Sequence, residues 1–106
     1  MRKYNFKIIQ PGSPHKLRNI DICIMVVEKI LATEIAKKFN VTTNTIRVIY
    51  RIYMANLCNQ IDGTNYYTAV NNPKFYNRKD ALEILEAYKL FLIESLLRKD
   101  INNGWL

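Results

Sequence analysis

The chain contains one histidine, His15, and two cysteines, Cys23 and Cys58, in 106 residues. One histidine in a proline-rich loop cannot supply a histidine metal site or a Ser/His/Asp set, and there is no phosphate-loop motif. A tyrosine nickase built on Tyr66 or Tyr67 needs a metal held by several histidines, which are also missing. The chain is therefore read as a non-enzyme, and no catalytic residue, metal ligand or cofactor is assigned. Each cysteine stands singly in an apolar run, which reads as a buried thiol of a reduced compartment rather than a disulfide staple. No stretch of about 18 uninterrupted apolar residues occurs, so no membrane span is expected. The basic N-terminus lacks the long apolar segment of a signal peptide. A cytoplasmic protein is expected.

Acidic residues are scarce, but in one half only. Residues 1–60 hold ten Lys and Arg against three acids (Asp21, Glu28 and Glu34), whereas residues 61–106 hold six of each. All of the +7 net charge therefore lies in the first half. A one-sided basic surface is the footprint of a polyanion partner.

That half also carries the most constrained segment, ATEIAKKFNVTTNTIRVIYR at 32–51. Ala36 is small where two helices would cross closely. Ile35 and Phe39 lie one helical turn apart and can bury together. Asn40 falls where a tight turn needs a left-handed residue, which Asn tolerates better than other non-glycine residues. Val41 plugs the turn, Thr42 can cap a second helix through its hydroxyl, and Ile46 and Ile49 form that helix's buried face. Together these read as a helix-turn-helix over 32–57, the device that places side chains in a DNA major groove.

Around it, residues 3–9 alternate as a short strand, and residues 17–30 read as a broadly buried helix. β-Prone runs at 65–70 and 74–76, joined by the Asn-Asn-Pro turn at 71–73, predict a hairpin, so a wing is expected over 60–77. Asn77 and Asp80 open a long helix expected over 78–99, with Asn-Asn-Gly at 102–104 as its stop. Its stripe of Ala81, Leu85, Tyr88, Leu92 and Ser95 widens through Leu82, Ile84, Phe91, Ile93, Leu96 and Leu97. So apolar a helix needs more than one cover. Either a second copy packs on it through Leu85, Tyr88, Leu92 and Leu96, the favoured reading, or the strand and first helix of the same chain do. The expected fold is mainly α with a small β component. It is a single winged helix-turn-helix domain over 1–106, with an N-terminal strand, three helices, a hairpin wing and a long C-terminal helix.

Residues 33–57 resemble the DNA-binding head of MerR-type regulators, through Thr45, Ile46, Arg47, Tyr50 and Arg51. FYNRKDALEIL at 75–85 is similar to that family's step out of the wing into the next helix. The resemblance covers about half the chain and implies DNA binding and a wing. Effector sensing is not carried over, because about 30 residues precede the motif, the hairpin is longer and no sensor domain follows. The element order also resembles small dimeric winged-helix proteins of plasmids and phages. Some of those are repressors, and others bind centromere or transfer-origin repeats.

On this reading double-stranded DNA is the partner. Arg47 can make a bidentate contact to guanine and Asn44 to adenine. Thr43 faces the groove beside them. Thr42, Thr45, Lys37, Lys38 and Arg51 suit phosphates, which position without specifying sequence. Asn71, Asn72 and Lys74 stand at the wing tip, and Arg78 and Lys79 at the start of the last helix. A homodimer is expected, with other proteins of the same nucleoprotein complex as possible partners. Two alternatives stay open: a protein-interaction adaptor, and single-strand stacking on the tyrosines, Tyr66 and Tyr67 above all. More often such tyrosines complete a small core.

Overall fold

The computed structural model describes residues 4–9, 15–62 and 78–103. Within them the chain is all-α: α1 (Lys16–Val27), α2 (Ala32–Phe39), α3 (Thr43–Asp62) and α4 (Arg78–Asn103). α1 is the centre of the assembly and packs on each of the other three helices. Its Ile20, Ile22 and Cys23 are fully buried. The core continues through Ile35 of α2, Ile46, Tyr53, Met54 and Leu57 of α3, and Ile84, Leu85, Tyr88 and Leu92 of α4. The radius of gyration, 14.1 Å, is close to the roughly 13 Å of a folded domain near 100 residues.

α1 and α2 end in the same way. Lys29 (φ 63°) and Asn40 (φ 56°) both adopt the left-handed conformation. After α1, Lys29 N–H donates to the Val26 carbonyl at 3.0 Å and Ile30 N–H to that of Met25 at 3.1 Å. After α2, Asn40 N–H donates to Lys37 at 3.4 Å and Val41 N–H to Ala36 at 3.0 Å. This paired pattern satisfies carbonyls that a helix end leaves open. It reverses the chain within a few residues, so α1, α2 and α3 fold back onto one another.

The expected N-terminal strand is not present. Residues 4–9 form neither strand nor helix. Their alternation is real, since Tyr4, Phe6 and Ile8 are half-buried while Asn5 and Lys7 are exposed. Side chains, however, take the place of a neighbouring strand. Lys7 N–H donates to Gln60 Oε1 at 2.8 Å, and Gln60 Nε2 donates back to the Lys7 carbonyl at 3.1 Å. Ile9 N–H donates to the Tyr88 hydroxyl at 3.0 Å. Phe6 packs edge-on against Tyr88, with ring centres 5.3 Å apart, and against Phe91 at 5.8 Å.

Three helix ends move. α1 stops at Val27, short of the expected residue 30, because the chain turns at the left-handed Lys29. α3 runs to Asp62, so Gln60, Ile61 and Asp62 are its last turn and not the start of a wing. Leu57 and Cys58 are buried and Ile61 packs on the core, which carries the helix on to the Asp-Gly turn signal. α4 runs through Asn102 and Asn103, past the end expected near residue 99. The predicted hairpin, with Asn71, Asn72 and Lys74, lies outside the described residues.

The expected dimer stripe is also corrected. Leu85, Tyr88 and Leu92 are 0% exposed within one chain, covered by α1 and the N-terminal segment. The alternative cover, from the same chain, is the one observed for them. Of the four residues assigned to dimerisation only Leu96 is exposed, alongside Leu90 and Leu97. An ion pair from Lys89 Nζ to Asp21 Oδ1, 2.7 Å and partly exposed, ties α4 to α1.

Candidate nucleic-acid interface

The candidate surface is built on α2, a three-residue turn and the first two turns of α3. Asn40 closes α2. Thr42 then caps α3 as expected: its hydroxyl accepts from Thr45 N–H at 3.1 Å, and its carbonyl from Ile46 N–H at 3.2 Å. The Thr42 and Thr45 hydroxyls also bond each other at 2.9 Å. These two threonines, assigned to phosphates from the sequence, therefore already work as the clasp that starts the helix. Ile46 and Ile49 are buried, which fixes the rotation of α3. A buried contact deeper in the helix supports the same setting, since Asn19 Nδ2 of α1 donates to the Tyr53 hydroxyl at 3.3 Å.

That rotation leaves Asn44, Arg47, Val48 and Arg51 exposed. Their spacing of three, four and seven residues makes one continuous stripe. One turn further on, Met54, Ala55 and Cys58 would extend it, but all three are buried. The open face thus ends at Arg51. From Asn44 to Arg51 it rises about 10 Å, or roughly three base-pair steps. Val48, 42% exposed, was missed from the sequence, where a valine beside isoleucines reads as core. Helical geometry alone places it between Asn44 and Arg51, where an apolar side chain can meet a thymine methyl.

Of the other assigned residues, Thr43 is half-buried, and Lys37 and Lys38 are exposed on the last turn of α2, adjoining the turn into α3. Cations there also complement the helix dipole whatever they bind, and Lys38 Nζ lies 5.7 Å from the Phe39 ring centre. Arg78 and Lys79 are exposed on the first turn of α4, an element separate from the α2–α3 surface. The structure therefore gathers Asn44, Arg47 and Arg51 on one face, adds Lys37 and Lys38 from the preceding helix, and sets Arg78 and Lys79 apart.

Beside the stripe runs an apolar groove of about 300 Å³. It is lined by Val26 of α1, Ala32 of α2, Ile30 between them, and Ile46, Arg47, Tyr50 and Arg51 of α3. Burial raises the Tyr50 hydroxyl above the ordinary phenol value, as it does for Tyr53 and Tyr88. Burial also pushes the Cys23 thiol well up, which keeps it neutral and unreactive. Cys23 and Cys58 are both buried, and neither is in a disulfide. Tyr53 and Tyr88 are core residues, and Tyr4 and Tyr50 are half-buried. Tyr66, Tyr67 and Tyr76 lie outside the described residues.

Among the described residues no group of three or more His, Cys, Asp or Glu could hold a metal. None of the described helices is long and apolar enough to cross a membrane. No protein-family model, no curated protein and no solved structure matches the chain.

Proposed function

We propose that the protein is a sequence-specific binder of double-stranded DNA, a winged helix-turn-helix acting as a homodimer. The observation that carries the reading is the stripe of Asn44, Arg47, Val48 and Arg51. It stands exposed on a helix whose rotation is fixed by the Thr42 cap and by the burial of Ile46 and Ile49. Arg47 and Asn44 read base edges, Val48 meets a thymine methyl, and Arg51, Lys37 and Lys38 hold phosphates. The hairpin expected from the sequence, with Asn71, Asn72 and Lys74, would be the wing of this reading and lies outside the described residues. The exposed leucines of α4 join the protomers.

The role is regulation of transcription in a mobile element. The alternative is a plasmid accessory protein that binds centromere or transfer-origin repeats beside other proteins of the complex. The two differ in where the target lies, not in how it is bound. Two buried thiols outside any disulfide fit a cytoplasmic setting.

The test is selection of bound duplexes from a random pool at about 0.15 M salt, where charge-only binding is screened. The expected result is an enriched repeat, lost with Arg47→Ala. Arg47 is exposed and contributes nothing to the core, so its loss leaves the fold intact. No enrichment by the wild type would refute sequence-specific binding and favour a protein-interaction adaptor.

A further inference from the structure

The groove beside α3 has a composition that a DNA-binding face does not require. Phosphates and base edges call for polar groups, yet Val26, Ile30, Ala32 and Ile46 line an aliphatic trough together with the Tyr50 ring. Arg47 and Arg51 are its charged residues, and no acid is among the described residues that line it. They lie one helical turn apart, about 6 Å along the axis, so both guanidiniums can converge on one anionic head. A volume of about 300 Å³ sits at the small end of sites for small molecules.

We infer that this groove binds a medium-chain carboxylate, its tail along the α1–α2 wall and its head group between Arg47 and Arg51. Since both arginines also belong to the exposed stripe, ligand and duplex compete for them. The competition rests on the DNA-binding reading, whereas ligand binding itself does not.

The experiment is calorimetric titration of the full chain with sodium octanoate, octanol and acetate, followed by octanoate in the presence of duplex. Octanoate should bind saturably at one per protomer, about tenfold tighter than octanol, the value of roughly one charge-assisted hydrogen bond. Acetate, a head without a tail, should not bind. Ala32→Leu fills the groove from α2 and leaves both guanidiniums in place, so it should abolish octanoate binding and spare duplex binding. Ile30→Phe fills it from the α1 side and guards against a failure of Ala32→Leu to fold. Arg47→Ala should weaken octanoate about tenfold. Non-saturable uptake, equal affinity for octanol, or octanoate binding undiminished in a folded groove-filled variant overturns the site. Saturable octanoate binding in a chain that ignores every duplex upholds the site and refutes only the competition.

Discussion

Lys29 and Asn40 meet the same backbone demand with different side chains. Both are left-handed at the end of a helix, a conformation that costs an L-residue roughly 1–2 kcal/mol. Asn offsets part of this with a short polar side chain, and that affinity made the second turn legible in the sequence. Lys has no such affinity, so nothing in the local sequence announced the turn at residue 29. Lys29→Gly should therefore stabilise the fold by about 1 kcal/mol, and Asn40→Gly by less. Urea midpoints measure both. A lower midpoint for Lys29→Gly would show that the lysine side chain supports the structure in a way its backbone conformation does not reveal. At the same scale, Thr42 and Thr45 show why a residue's chemistry does not fix its use. Two hydroxyls suited to phosphates are bonded to each other and to the helix start, and only the folded geometry distinguishes the two uses.

At the scale of elements, α2, its turn and α3 were legible because their requirements are local: a left-handed residue, a cap, and apolar residues at helical spacing. The N-terminal segment and α4 were only half legible, because periodicity reports that a face is covered without reporting what covers it. The alternation over residues 4–9 marked an extended chain with one face down, but pairing with a strand does not follow from alternation. The stripe of Leu85, Tyr88 and Leu92 marked burial, and the cover proved to be this same extended segment together with α1. The two misreadings thus have one cause, since each element is the other's partner across nearly the full length of the chain. The hydrogen bond from Ile9 to Tyr88 is buried, so Tyr88→Phe strands a buried N–H and should cost about 1–3 kcal/mol. The Gln60 pair is exposed, and Gln60→Ala should cost nearer 1 kcal/mol. Hydrogen exchange should show the Ile9 amide losing protection in the first variant and the Lys7 amide in the second. If both amides keep wild-type protection, the segment is held by its ring contacts alone.

For the whole molecule, the open question is what the protein does with the apolar surface left after α4 has served its own chain. Leu90, Leu96 and Leu97 are 55%, 40% and 57% exposed, and Leu90 and Leu97 stand two turns apart on one side of the helix. A second copy is the occupant consistent with a repeat as target, because a dimer doubles the contacts made by a face only about three base-pair steps long. This ties oligomeric state to salt dependence. With Lys37, Lys38 and Arg51 each neutralising one phosphate, a protomer contributes a slope of about −2.7 in log affinity against log salt, and a dimer about −5.4. Leu90→Glu with Leu97→Glu changes exposed residues only, so the helical fold should persist while sedimentation shows a monomer. The slope on a repeat-containing duplex should then halve, and affinity should fall steeply as the second half-site is lost. The paired change Lys37→Ala and Lys38→Ala should instead leave the dimer intact and reduce the slope by about 3.6, with equal weakening on every sequence. A wild-type chain that sediments as a monomer would leave each protomer to bind duplex on its own, and a leucine variant that keeps both mass and slope would place the dimer interface away from the exposed leucines of α4.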